Sequence, residues 1–221
     1  MIITLDGPAG SGKSTIARLL AQQLDFEYID SGALYRTLTL HAIRNFGGAE
    51  GNEPKVAQYF EQNPGAIEVR FEAHHQLVQL SGEDITQAIR DPDLTRQIRY
   101  IAGHGPCRDL VNAYMRELSH RYSVVVDGRD IGTVVFPESK NKFYLDASPQ
   151  IRAKRRALEQ NSPVEGPDFE ALVAEISDRD QSDMTRELAP LKKAQDAQLI
   201  QTDQMSIEEV VDAVKGQLDL G

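Results

Sequence analysis

Gly7-Pro8-Ala9-Gly10-Ser11-Gly12-Lys13-Ser14-Thr15 fits the pattern G-x-x-x-x-G-K-[ST], and the residues on either side complete the fit. Before it, Ile2–Leu5 is a short β-branched run that reads as a buried strand. After it, from Thr15 to Leu24, apolar residues recur at helical spacing: Ile16, Leu19, Leu20 and Leu24. In this strand–glycine loop–helix arrangement, glycines let backbone N–H groups approach phosphate oxygens with no Cβ in the way. The helix N-terminus adds the positive end of its dipole. Lys13 can reach the β- and γ-phosphates, and the Ser14 hydroxyl can ligate Mg²⁺. The stretch Gly7–Thr15 is therefore expected to bind a nucleoside triphosphate; the alternative is a strand-to-helix turn with no ligand.

Working outward, five segments read as short buried strands: Ile2–Leu5, Glu27–Ile29, Ser123–Val126, Lys142–Leu145 and Ala197–Gln201. Helical stretches lie between them, which predicts an α/β fold with a parallel sheet. The gap between Ile29 and Ser123 is too long for one crossover and must hold inserted structure. Within it, Ser31–Asn45 reads as a helix ended by Phe46-Gly47-Gly48. Ile67–Phe71 alternates apolar and polar residues, and Leu77–Leu80 follows the turn at His74-His75. These predict a hairpin, with Asp84–Thr86 a third short strand and the two histidines in a solvated turn. Two helices are expected over 93–102 and 106–121. Pro149–Gln160 reads as a basic helix, 161–167 as a breaker-rich loop, and Phe169–Arg179 as a further helix. Ser206-Ile207-Glu208-Glu209 has the form of a capping box and opens the last helix.

The composition bounds the function. The chain has 221 residues, enough for one large domain or a core with small appendages. Its 34 acidic and 24 basic residues give a net charge of −10, which argues against binding polymeric nucleic acid. The single cysteine, Cys107, cannot form an internal disulfide, so a reducing compartment and a structural role are expected. No signal-peptide pattern opens the sequence and no apolar run approaches the ~18 residues of a membrane span, so a cytoplasmic location is expected.

Three further constellations carry chemistry. Asp30-Ser31-Gly32-Ala33-Leu34-Tyr35-Arg36 follows the second strand, and ligands in open α/β sheets lie beyond the carboxyl ends of strands. Arg36 there suits an acceptor phosphate; an N-capping Asp30 and a surface Arg36 are the equal alternative. Asp127-Gly128-Arg129-Asp130 continues an apolar strand into a charged turn, and burying such groups costs several kcal/mol unless they are paired. Asp127 could hold Mg²⁺ through water, Arg129 a phosphate, and Asp130 a base amine; the alternative is an internal ion-paired turn. Finally, the basic helix with Arg152, Lys154, Arg155 and Arg156 precedes a segment in which Arg179, Asp183 and Arg186 share one face if helical. Separated by a Pro/Gly loop, these two groups look like a mobile arginine lid. So many cations are expected to need an anion before they cluster.

Together the motifs resemble the bacterial cytidylate kinases, nucleoside monophosphate kinases of the P-loop class. The matching pieces are Gly7–Thr15, Asp30–Arg36, Asp127–Pro137 and Arg179–Leu191, which span nearly the whole chain. The resemblance implies transfer of the γ-phosphoryl group of ATP to CMP or dCMP with Mg²⁺. It implies a single domain over 1–221 with a five-stranded parallel core of order 2-3-1-4-5. An acceptor-binding insert (about 46–92) and a lid (about 152–186) would be appended to that core. Ser31, Tyr35, Arg36 and Arg108 match acceptor-binding positions, and Arg129 and Asp130 the pair that contacts phosphate and cytosine. Arg179, Asp183 and Arg186 match a segment that holds the pentose and phosphates. Lys13, Arg129, Arg179 and Arg186 are the implied catalytic set, Arg155 joins the ATP-binding set, and Ser14 with Asp127 (through water) forms the implied metal site. The expected partners are small nucleotides, with no membrane, and the expected state is a monomer. The chain departs from the family pattern where Arg99 replaces a serine that touches the base, and at His104-Gly105-Pro106-Cys107, Ser182 and Met184. A kinase for another small acceptor and a non-catalytic nucleotide switch are the competing readings; the N-K-x-D motif of a GTPase switch is missing from the sequence.

Overall fold

The structure, a computed structural model, describes residues 1–219. It divides into two compact units. One holds Met1 with Leu24–Val124; the other holds Ile2–Gln23 with the chain from Val125 onward.

The second unit contains β1 (Ile2–Asp6) and α1 (Lys13–Leu24), joined by the glycine loop. β1 is buried along nearly its whole length, as a β-branched strand covered on both faces should be. On α1, Ile16, Ala17, Leu20 and Ala21 form the buried stripe. In the first unit, β2 (Glu27–Asp30) runs into α2 (Ser31–Phe46). Asp30 caps that helix by accepting from the Ala33 N–H, and Gly47 ends it in a left-handed conformation with its N–H on the Ile43 carbonyl.

A helix that the sequence reading did not anticipate follows, α3 (Glu53–Gln62), burying Val56, Ala57 and Phe60. The small antiparallel sheet is β3 (Ile67–Glu72), β4 (His75–Leu80) and β5 (Glu83–Asp84), in the order β3-β4-β5. Its third strand is shorter and earlier than expected. Thr86 lies outside it, and its Oγ1 accepts from the Val78 N–H instead. The turn before β4 is not simply solvated, because the His74 ring hydrogen-bonds the Phe26 carbonyl oxygen through Nδ1 at 3.0 Å. A 3-10 turn at Ala88–Arg90 leads to α4 (Pro92–Gly103) and α5 (Gly105–Arg121). Cys107 is fully buried on α5, where burial pushes its thiol up to about 12 and leaves it inert.

β6 (Val124–Gly128) enters a π-helical turn at Ile131–Val135; β7 (Asn141–Asp146), α6 (Pro149–Glu159), α7 (Pro167–Thr185), β8 (Gln198–Gln201) and α8 (Ile207–Lys215) complete the chain. The capping box of α8 is formed in both directions between Ser206 and Glu209. The five-stranded parallel sheet has the order β2-β6-β1-β7-β8, the 2-3-1-4-5 order of the expected core strands. α7 extends past the predicted Arg179 to Thr185, so Asp183 is helical while Arg186, with extended backbone, lies just beyond the helix end.

Candidate active site

The glycine loop leaves β1 at Gly7, whose φ of +147° is a conformation that side chains rarely adopt and whose missing Cβ would collide with the Leu145 carbonyl. Lys13 opens α1 and is 5% exposed. Its Nζ donates to the Pro8 carbonyl at 2.6 Å and to Ser11 Oγ at 3.2 Å. Burial holds the Lys13 ammonium well below its ordinary pKa. Neighbouring Arg129 and Arg179 push the same way, and Asp127 and Asp6 oppose them. An anion placed beside this lysine would favour its charged form. Beside it, the Ser14 hydroxyl donates to Asp127 Oδ2 at 2.7 Å. The hydroxyl and carboxylate expected to share a metal are therefore in contact, and both are the hard oxygen donors that suit Mg²⁺.

The charged turn after β6 and the end of α7 meet in reciprocal ion pairs. Arg129 Nε donates to Asp183 Oδ2 at 2.9 Å, and Arg186 Nη2 donates to Asp130 Oδ1 at 3.2 Å. Four of the expected site residues thus converge. The premise that the arginines need an external anion to cluster is corrected by carboxylates from the chain itself. Arg156 faces Glu175, and Arg152 faces Asp180 at 2.5 Å. Arg152 is no lid residue facing solvent. It is 3% exposed, and it donates to the carbonyls of Ala147 and Ala9. Asp180 in turn accepts from the Ala9 N–H, so both backbone groups of one loop residue are clamped, one by α6 and one by α7. Gly10 has a φ of +75°, which strains any other residue, and a Cβ added there would lie a tight 3.2 Å from the Arg152 Cβ. Arg155 turns to Thr202, donating to its Oγ1 and its carbonyl.

In the other unit, the Asp30–Arg36 motif is assembled at the β2–α2 junction. Arg90 Nη1 donates to Asp30 Oδ2 at 2.7 Å, while Arg36 stands 3.9 Å from Asp30 Oδ1. Ser31 and Tyr35 are buried on α2. Arg108, 4% exposed, places its guanidinium carbon 5.6 Å from the centre of the Tyr35 ring and donates to the Ala102 carbonyl. Arg99 stacks on its neighbour Tyr100 and lines a cavity of about 470 Å³ with Phe46–Gly48 at the C-terminal end of α2, the far end of that helix from Ser31 and Arg36.

The sequence reading missed Asp6, Asp180, Gln76 and Arg90. Asp6, the last residue of β1, accepts from the N–H groups of Ile131 and Gly132 at 2.8 and 2.7 Å, anchoring the charged turn to the base of the glycine loop. Burial drives its carboxyl from 3.8 to about 6 against those two hydrogen bonds. The signal was present: a charge ending a buried strand, the same feature that singled out Asp127.

Comparison with known proteins agrees with this geometry. The cytidylate kinase family model matches residues 3–219. The chain is 44% identical over 212 residues to the cytidylate kinase of Anoxybacillus flavithermus, with 96% of this chain and 93% of that one covered. It is 39% identical over 217 residues to a bifunctional pantoate ligase/cytidylate kinase of Prochlorococcus marinus, a longer protein of which it spans 43%. A solved structure of an uncharacterized protein from Eubacterium ventriosum is similar in fold, with a TM-score of 0.56 at 10% identity over 100% of this chain and 99% of that one. With the glycine loop, the Ser14–Asp127 contact and the paired arginines in place, the chain belongs to the cytidylate kinase family and is a phosphotransferase.

Proposed function

We propose that this protein transfers the γ-phosphoryl group of ATP to CMP or dCMP, releasing ADP and CDP or dCDP. The observation that carries the reading is the reciprocal pairing of Arg129–Asp183 and Asp130–Arg186 beside the glycine loop. It gathers guanidinium groups for a transferring phosphoryl group and carboxylates for a base amine and a pentose in one cluster. Phosphoryl transfer asks little covalent work of the protein, which contributes positioning and positive charge at the equatorial oxygens. Lys13 would hold the β- and γ-phosphates, and the phosphates would supply the anion that its buried ammonium lacks. Gly7–Thr15 would cradle the donor, with Arg155 on the donor side. Arg129 and Arg186 would exchange carboxylate partners for phosphate oxygens as charge develops, Arg179 would add a third guanidinium, and Asp183 with Arg179 would hold the pentose. Ser14 and, through water, Asp127 would hold Mg²⁺, which when bound neutralises charge on the β- and γ-phosphates. Ser31, Tyr35, Arg36 and Arg108 would bind the acceptor. A cytoplasmic monomer acting on small nucleotides in pyrimidine metabolism is part of the same proposal.

Asp130 gives the reading its specificity. A carboxylate accepts from the cytosine 4-amino group but meets a carbonyl in UMP, and a buried polar group left unpaired costs ~1–3 kcal/mol. An assay of ADP release across CMP, dCMP, UMP, AMP and GMP should give CMP a kcat/KM at least ~10-fold above UMP. Equal use of CMP and UMP would remove Asp130 from base recognition, and preference for a purine nucleotide would overturn the proposed acceptor.

A further inference from the structure

We infer that Gln76 and Arg90 are positioning residues for the acceptor nucleotide, acting through Asp30 to keep Arg36 available for phosphate. The inference rests on the acceptor site proposed above and extends it to two residues outside its motif.

Asp30 ends β2, an edge strand of the five-stranded sheet, and starts α2. Its backbone N–H donates to Gln76 Oε1 at 2.7 Å. Gln76 is 7% exposed, and its Nε2 is buried with no hydrogen-bond partner among the described residues. A side chain held that way leaves one donor unsatisfied while the other end of its amide caps the edge of β2. The bond therefore fixes the amide's orientation, with the oxygen toward Asp30.

The Asp30 carboxylate is divided among three partners. Oδ2 accepts from Arg90 at 2.7 Å, Oδ1 accepts from the Ala33 N–H at 3.0 Å, and Arg36 stands 3.9 Å from Oδ1, an ion pair beyond hydrogen-bond reach. Arg90 comes from the 3-10 turn that follows the small sheet, and Gln76 from β4 within it. The hairpin region thus supplies both the acceptor for the Asp30 N–H and the cation that satisfies Oδ2. The consequence is one of charge allocation. While Arg90 occupies Asp30, Arg36 keeps its fork of donors for a phosphate. Without Arg90, Asp30 would draw Arg36 into a close pair and withdraw it from the acceptor.

Steady-state kinetics of the full chain test this. Wild-type turnover of CMP is measured first and decides the proposed reaction by itself. Given that activity, Arg90→Ala should raise KM for CMP by about tenfold, the loss of one charge-assisted bond. It should change kcat by less than about twofold and leave KM for ATP unmoved, because the lost interaction is uniform acceptor binding. Arg90→Lys should recover part of the loss. Gln76→Leu keeps the volume and removes the acceptor oxygen, so it should shift KM for CMP in the same direction. The double variant should fall short of the product of the two single effects, because both act through one aspartate. If Gln76→Leu does not fold, Arg90→Ala and Arg90→Lys decide the matter, since Arg90 is half exposed. An unchanged KM for CMP in Arg90→Ala, or a parallel rise in KM for ATP, would overturn the inference.

Discussion

The surroundings of the glycine loop and the β2–α2 junction hold their charges differently. Around the glycine loop, charge is buried and answered within the chain: Arg152 against Asp180, Arg186 against Asp130, Asp6 against two backbone N–H groups. At the β2–α2 junction, charge is shared and partly exposed. Asp30 is divided among Arg90, Arg36 and a backbone N–H, and the Arg90 side chain is 47% exposed. The first arrangement fixes a geometry and loses heavily when one member is removed. The second, as the proposed acceptor site, would allocate cations between protein and ligand, so its losses should appear in substrate affinity more than in stability.

The sharpest contrast is in stability. Asp180→Ala leaves Arg152 buried without its carboxylate and frees the Ala9 N–H, so it should cost ~3–5 kcal/mol. In the other compact unit, Glu83→Ala removes the exposed Arg44–Glu83 pair and should cost under ~1 kcal/mol. Denaturant unfolding of both variants measures the difference. Equal losses would erase the comparison.

Next comes turnover. Lys13→Ala removes the ammonium proposed to serve the donor phosphates and should lower kcat by roughly 10²-fold or more, because electrostatic stabilisation dominates this chemistry. Circular dichroism should show the fold retained, since β1, the loop backbone and α1 remain. A well-folded Lys13→Ala protein with near-native turnover would contradict the donor role of the loop.

The smallest effect sharpens the account of the glycine-loop surroundings by its pH dependence. The Asp6 carboxyl is raised from 3.8 to about 6, chiefly by burial, with a smaller contribution from the Asp130 charge. An acid whose pKa is raised on folding contributes stability that is fully present below its unfolded value and is lost as pH rises through the folded one. Asp6 should therefore weaken the fold as pH rises from about 4 through about 6. Carboxyl-carbon NMR should give Asp6 a midpoint near 6. A midpoint at or below 4 would mean that the two N–H donors outweigh burial.

How much of this could be read in the sequence follows the same division. The surroundings of the glycine loop were legible because their signals are contiguous: Gly7–Thr15 and Asp127–Asp130 each sit at the end of a buried strand, where a charge or a glycine run stands out. The core strand order followed from the family resemblance. The β2–α2 junction was legible only along Asp30–Arg36. Gln76 and Arg90 lie 46 and 60 residues away from Asp30, in a strand and a 3-10 turn whose local pattern says nothing of what they touch. Arg152 misled for the complementary reason. In a basic helix it reads as a solvated charge, and only the tertiary fold brings Asp180 and the Ala9 carbonyl to it. α3 was missed although Asn52-Glu53-Pro54 has the form of a helix start; its buried stripe is short, only Val56, Ala57 and Phe60.

The central claim, phosphoryl transfer from ATP to a cytidine monophosphate, is tested most directly by following the γ-phosphoryl group itself. With γ-labelled ATP and CMP, the label should appear in CDP as ADP accumulates one for one. Label released as inorganic phosphate with no labelled CDP would show a nucleotide hydrolase, and would contradict the account.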